Sequence, residues 1–241
     1  MTTIGIQGRP IRRAGRRFYV IMSLVLAATI VAGFSQTVPD DFTHTPGLPL
    51  LLHIHGAIFT LWVLLIVGQP AMIAQGNVKL HRQVGTIGAG LAIAMVVMGL
   101  AATLFAIRYH RVPSFFPPGV FLVMNGLGIL VFGGLVTAAV ALRRQADWHK
   151  RLMLCATVSI LGPGLGRFLP MDSFGAFAPL VMFGVILLYA LAGPVYDLIM
   201  LRRVHPAYLW GVAAILISDI LIGPLAFAPP TLAAIRLLRS S

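Results

Sequence analysis

The chain contains no glutamate and one cysteine, and only 10% of its 241 residues are charged, whereas 59% are hydrophobic. A soluble domain needs more charge than this to cover its surface, so the composition predicts that the apolar excess faces lipid. The one cysteine, Cys155, leaves no disulfide framework and no cysteine-based metal site in the chain. We expect Cys155 to be a small buried apolar residue.

Several enzyme motifs are also missing. The sequence has no Walker-type loop, no dinucleotide-binding glycine motif and no Gly-x-Ser-x-Gly elbow. Without glutamate, and with its few aspartates separated, the chain does not indicate a hydrolase that uses a pair of carboxylates. No serine or cysteine triad is visible either, so the sequence leaves open whether the protein is an enzyme.

Long apolar runs are what the sequence has instead. A helix needs about 20 mostly apolar residues to cross a hydrocarbon core of about 30 Å. We therefore predict an all-α, polytopic membrane bundle of about seven transmembrane helices, at 18–36, 49–74, 84–107, 117–141, 152–170, 175–200 and 207–228. This single transmembrane domain, 18–228, follows a basic cytoplasmic arm, 1–17, and precedes a short outer segment, 229–241. The first run is long for a cleaved signal peptide, so we interpret it as a retained helix.

Positive charge is distributed unevenly along the chain, whose net charge is +12. If the N-terminus is cytoplasmic, 13 of the 18 lysines and arginines fall in inner segments. This bias predicts a bacterial inner-membrane protein with a cytoplasmic N-terminus and a periplasmic C-terminus. We expect the basic arm to rest on anionic membrane lipids and expect no nucleic-acid partner. Asp147 and Asp197 are expected to pair with inner cations.

The inner turns share a pattern. Each places one histidine beside basic residues just before a helix starts: His81, His149 and His205. His55-Gly56 lies 26 residues before the first of these and Asn125-Gly126 lies 24 residues before the second, which predicts repeated hairpins after the first helix. Three imidazoles could form a zinc-like site. The neighbouring cations instead favour histidines that lie among lipid headgroups.

Five polar side chains fall in the outer half of the predicted bundle. They are His53, His55, Asn125, Arg167 and Asp219. Charged groups cost about 2.5–3.5 kcal/mol near the bilayer centre and normally face a partner or water, so we predict that this set binds a cofactor. Helical residues two positions apart point about 200° apart, and of the two histidines we expect His55 to face inward and to be the metal ligand. We also expect Asp219 to pair with Arg167.

The fifth span contains the stretch Gly162–Gly166, which reads GPGLG. Proline cannot donate a backbone hydrogen bond and glycine weakens a helix, so we predict a break in this span. A broken helix beside Arg167 is a suitable place for an anionic group.

Four motifs resemble a widespread family of bacterial seven-span inner-membrane proteins. They are HIHG at 53–56, LHRxxG at 80–85, WHKRLM at 148–153 and RRVHP at 202–206. The resemblance covers most of residues 49–215 and implies the seven-span fold, but it implies no activity. The chain is more weakly similar to the transmembrane cytochromes b. Two stacked hemes need histidines about 14 residues apart on one helix, and no span has that spacing, so a diheme arrangement is not expected.

Three functional hypotheses follow from these observations. The first is a redox module that binds one heme b or a quinone headgroup in the outer half of the bundle. The second is a non-enzymatic accessory subunit that packs against other subunits of a larger respiratory or photosynthetic membrane complex. The third is a small proton-coupled transporter that uses Asp219.

Overall fold

The computed structural model of the chain describes residues 8–37 and 47–240. The first seven residues of the predicted arm and Ser241 therefore lie outside the described residues. From Gly8 onward the arm is helical and continues without interruption into the first apolar run.

The described residues form ten α-helices and no strand. The helices are α1 (Gly8–Phe34), α2 (Leu50–Ala74), α3 (Val78–Arg108), α4 (Pro118–Ala141), α5 (Ala146–Ser159), α6 (Gly162–Phe168), α7 (Met171–Phe174), α8 (Ala178–Leu201), α9 (Pro206–Ala226) and α10 (Pro229–Ser240). Six of them, namely α1, α2, α3, α4, α8 and α9, are long and apolar enough to cross a membrane. The prediction of an all-α, multi-pass membrane bundle is confirmed.

The fifth predicted span is not one helix but two. Helix α5 ends at Ser159 and α6 begins at Gly162, so the helix is interrupted immediately before the glycine–proline stretch. Pro163 has no N–H with which to bond the Ser159 carbonyl four residues earlier, which accounts for the position of the break. Neither half alone is long enough to span a bilayer, and together they occupy the place of the predicted span 152–170.

The inner faces of the helices pack around a core of large apolar side chains. Trp62 of α2 and Phe132 of α4 are almost wholly buried and meet edge to face, with ring centroids 4.9 Å apart. Large apolar side chains also cover the outside: Ile87 is 73% exposed and Leu188 is 70% exposed. An apolar outer surface of this extent is unfavourable in water and suits a protein surrounded by lipid.

The bundle has two ends, which are named here by their arginines. At the Arg151 end, the start of α5 meets the end of α8 and the start of α9, because Asp197 of α8 binds both Arg151 and the backbone N–H of His205. At the Arg167 end, the end of α1 packs against α6 and the start of α4 packs against the end of α9. Which end faces the cytoplasm stays a prediction.

A close helix crossing at the Arg167 end joins α1 to α6 and gives a testable expectation. A Cβ atom at Gly33 would overlap the backbone carbonyl of Gly164, which cannot move aside as a side chain can. Gly33→Ala is therefore expected to destabilise the protein by about 1–3 kcal/mol through overpacking. Thermal unfolding in detergent measures this. Gly134→Ala is the control, because a Cβ there meets open space; equal melting temperatures for the two variants would contradict the crossing.

Candidate functional site

The histidine pair at the start of α2 is divided as its helical spacing predicts. His53 is exposed, whereas His55 is half-buried and turned toward α3. The His55 Nδ1–H donates to the Met98 carbonyl oxygen at 3.4 Å, and its ring stacks on Phe59 with centroids 4.2 Å apart. The prediction that His55 is the inward member of the pair is confirmed.

The described side-chain hydrogen bonds of Asn125 and Arg167 are with residues outside the predicted set. Asn125 donates from its side-chain amide to the Phe121 carbonyl on its own helix at 2.8 Å. Arg167 is exposed and donates to the Thr37 hydroxyl at 3.1 Å and to the Pro163 carbonyl at 3.0 Å. Its guanidinium carbon also lies 4.4 Å from the centroid of the Phe34 ring. Arg167 is thus directed toward the end of α1.

Asp219 lies elsewhere, in the wall of a groove formed by α4, α8 and α9. Its Oδ2 atom is buried and has no hydrogen-bond partner among the described residues. The expected ion pair between Asp219 and Arg167 is not formed, because the break before α6 makes that helix a separate element packed on α1. The role of the five outer-half residues in binding a cofactor stays a prediction.

Two of the three inner-turn histidines come together at the Arg151 end. His81, in the first turn of α3, and His149, in the first turn of α5, have ring centroids 6.3 Å apart and ring planes at 87°. The His149 Nδ1–H donates to the Ala139 carbonyl of α4 at 2.9 Å. That bond fixes the tautomer and leaves Nε2 as the unprotonated nitrogen, which is the arrangement found in metal-binding histidines.

His81 is held by α2. Gln69 lies near the end of α2. When its side-chain amide is oriented so that both its nitrogen and its oxygen are hydrogen-bonded, the nitrogen donates to the Nδ1 atom of His81 and the oxygen accepts from the backbone N–H of Gly85. Both histidines are half-buried. The pair is therefore positioned by all four helices from α2 to α5.

His205 does not join the pair. Its ring meets Trp148 edge to face, with centroids 5.4 Å apart, and its Nδ1 accepts the N–H of Ala207 at 3.2 Å as a cap of α9. Burial lowers the pKa of His205, and nearby Arg151 lowers it further. Within the described ranges no group of three metal-ligating side chains occurs, so the zinc-like site of three histidines is not formed there.

A buried ion pair holds the start of α5 in place. Arg151 is 3% exposed and binds Asp197 through two parallel hydrogen bonds, Nε to Oδ2 and Nη2 to Oδ1, both 2.9 Å long. Its Nη1 donates to the Asp147 carboxylate at 2.9 Å. Asp147 also accepts from Lys150 at 2.6 Å, and this bond, with help from Arg151, lowers the pKa of Asp147 to about 2. The prediction that both aspartates pair with cations at this end is confirmed.

The ion pair also determines which way His149 faces. Arg151 and His149 are two residues apart on α5, so their side chains leave the helix on nearly opposite faces. Because Arg151 is fixed against α8, His149 faces α3 and α4. The Tyr208 ring of α9 packs beneath the guanidinium at 5.5 Å, and its hydroxyl meets the hydroxyl of Tyr19 of α1 at 3.0 Å. The sequence predicted that these charged residues would pair, but not that Arg151 would contact both Asp197 and Tyr208, which depends on how the helices are rotated.

The distance between the His81 and His149 rings tests whether these two residues could be ligands of one metal ion. A metal–imidazole bond is about 2.0–2.1 Å long and the ring centroid lies about 1 Å beyond the nitrogen, so two imidazoles on opposite sides of one ion have centroids about 6 Å apart. The observed 6.3 Å agrees with this. Heme iron commonly takes axial imidazole ligands. The separation of the two rings would thus allow His81 and His149 to hold one heme between them.

Comparison with known proteins gives one partial likeness to report. The chain is 35% identical over 88 residues to the mouse (Mus musculus) plasma membrane ascorbate-dependent reductase CYBRD1. The matched part is 36% of this chain and 30% of the reductase, so the chain spans less than a third of that relative. No protein-family model matches the chain, and no solved structure matches it. The chain is thus a multi-pass membrane protein with a local similarity to a membrane reductase.

Proposed function

We propose that this chain is a membrane redox module that binds one heme b between His81 and His149. The observation that carries the proposal is the 6.3 Å separation of the two rings, together with the hydrogen bond that fixes His149. The local similarity to an ascorbate-dependent reductase supports an electron-transfer function over transport or an accessory role. A bound heme would supply one-electron oxidation and reduction.

The residues around the pair have distinct tasks in this proposal. The Ala139 carbonyl keeps the His149 proton on Nδ1 and raises the basicity of Nε2. Gln69 restrains the His81 ring from the opposite side of the pair. Arg151, anchored to Asp197, directs His149 toward α3. The apolar walls of the bundle lower the local dielectric constant and limit access of water, both of which tune the potential of a bound group.

The outer half of the bundle remains the alternative location for a cofactor. His55 is half-buried and offers one imidazole, with Phe59 stacked on it. A heme held there would have one histidine ligand instead of two. The two locations therefore differ in the coordination number of the iron, which is measurable.

The visible spectrum of the purified protein tests the proposal. Protein produced in heme-replete cells and reduced with dithionite is expected to show a sharp alpha band, with one heme per chain. The oxidised form is expected to be six-coordinate and low-spin by electron paramagnetic resonance, because two imidazoles give a strong axial field. A five-coordinate, high-spin spectrum would favour His55, and an intact but colourless protein would refute heme binding.

A further inference from the structure

An apolar groove at the Arg167 end contains one carboxyl group. The groove has a volume of about 470 Å³ and lies between α4, α8 and α9. Its walls include Val120 and Met124 of α4, Met182 of α8 and Gly223 of α9. Among the described residues that line the groove, Asp219 is the one ionisable side chain. A ligand for this groove must therefore be mainly apolar and must carry a group that can bond to a carboxyl.

The groove opens sideways, toward the surface that faces lipid. Three of its lining side chains are more than 60% exposed at the outer surface of the bundle: Leu180, Ile220 and Phe227. A molecule dissolved in the membrane can enter between them without passing through water. Asp219 lies 13 residues after Pro206 and 7 residues before Ala226, which places it about 20 Å from one end of α9 and about 10 Å from the other.

The hydrogen bonding of the Asp219 carboxyl group is not fully satisfied by the described residues. Its Oδ2 atom is buried without a hydrogen-bond partner in the part of the chain that the structure describes. A buried polar atom without a partner is destabilising, and a hydroxyl group supplied by a ligand would satisfy it. At this depth the ligand group is below the lipid headgroups, so an ordinary phospholipid would present only its acyl chains there.

We propose that this groove binds a quinol with an isoprenoid tail, with one ring hydroxyl bonded to Asp219 and the ring held among the apolar side chains of α4 and α8. An apolar tail fits the lateral opening, and the hydroxyl satisfies Oδ2. The choice of a quinol over other hydroxylated lipids rests on the redox function proposed above. The ligand supplies the membrane-soluble electron carrier that such a module requires.

The test uses the full-length protein in lipid nanodiscs and a benzoquinol with a decyl tail as the probe. Asp219→Leu, which keeps a similar branched shape but has no acceptor oxygen, is expected to weaken binding about tenfold, which is the loss of roughly one hydrogen bond. Gly223→Leu is expected to weaken it at least as much, because the new side chain projects into the groove where a Cβ meets open space. Gly90→Leu, which also adds a side chain in open space but on α3, is the matched control. It should bind the probe like the unchanged protein.

Each outcome decides the proposal. Unchanged affinity in either Asp219→Leu or Gly223→Leu overturns it, as does equal competition by a decyl-tailed benzene that has no hydroxyl groups. A photoreactive azido quinol should label α4, α8 or α9, and labelling confined to other helices also overturns it. Colourless protein that binds the quinol with these differences refutes only the heme, whereas red protein that does not bind it refutes only this site.

Discussion

Replacing Arg151 with methionine is expected to destabilise the bundle by about 3–5 kcal/mol. Methionine keeps much of the volume but leaves Asp197, which is fully buried, with the N–H of His205 as its remaining described hydrogen-bond donor. A buried charge that loses its partner carries the whole desolvation cost, which is why breaking such a pair costs this much. Thermal and denaturant unfolding in detergent should show the loss as a large fall in the melting temperature.

The complementary change is expected to cost less. Asp197→Asn removes the carboxylate, but the guanidinium keeps its bonds to Asp147, so we expect about 3 kcal/mol, the lower end of the same range. In the double variant Arg151→Met/Asp197→Leu neither charge is left buried, and its loss should be well below the sum of the single changes. Arg203→Met, an exposed change at the same end, should stay within about 0.5 kcal/mol of the unchanged protein. Strictly additive effects would show that the pair is not coupled.

The helices could be predicted from the sequence because the bilayer imposes a simple requirement. A span must be long and apolar, and both properties are visible in a one-dimensional scan. The break before α6 was also predictable, since the missing N–H of Pro163 acts locally. The sequence predicted that aspartates would pair with cations, but not which aspartate pairs with which cation. That Arg151 chooses Asp197, 46 residues away, depends on the rotation of α5 and α8, which sequence spacing does not specify.

The residues of the candidate site were harder to predict from the sequence than the helices were. Sequence reasoning ranked residues by depth, which favoured the outer-half set and the pairing of Asp219 with Arg167. It discounted His81 and His149 because cations adjoin both in the sequence. Adjacent helical residues point about 100° apart, however. In the folded chain Arg82 is exposed while His81 turns toward α5. Depth alone cannot show which neighbours share a face.

The predicted hairpin repeat offers a reason for the closeness of His81 and His149 that was not drawn from the sequence. His81 opens the second helix of one hairpin and His149 opens the second helix of the next. Two repeats packed side by side bring equivalent positions to the same end of a bundle. Such an arrangement would account for the proximity of the two residues, which the sequence analysis did not predict. It could not predict that His205, in the equivalent position of the third hairpin, would instead cap α9.

His149→Ala and His81→Ala are each expected to abolish the alpha band of the reduced protein. In this proposal each ring would hold the same iron, and alanine supplies no ligand. His205→Ala removes a histidine from the same end of the bundle and should keep the band, since its ring contacts Trp148 instead of the pair. Dithionite-reduced spectra of equal amounts of folded protein, checked by gel filtration and melting temperature, measure the effect.

The pattern of losses separates the two proposed locations. If His55→Ala removes the band while His81→Ala and His149→Ala keep it, the heme lies in the outer half and the proposed pair is wrong. If the pair holds the heme, added imidazole should restore part of the band in His149→Ala, because a free imidazole can occupy the vacated space. If His149 has only a structural role, added imidazole should not restore the alpha band in His149→Ala.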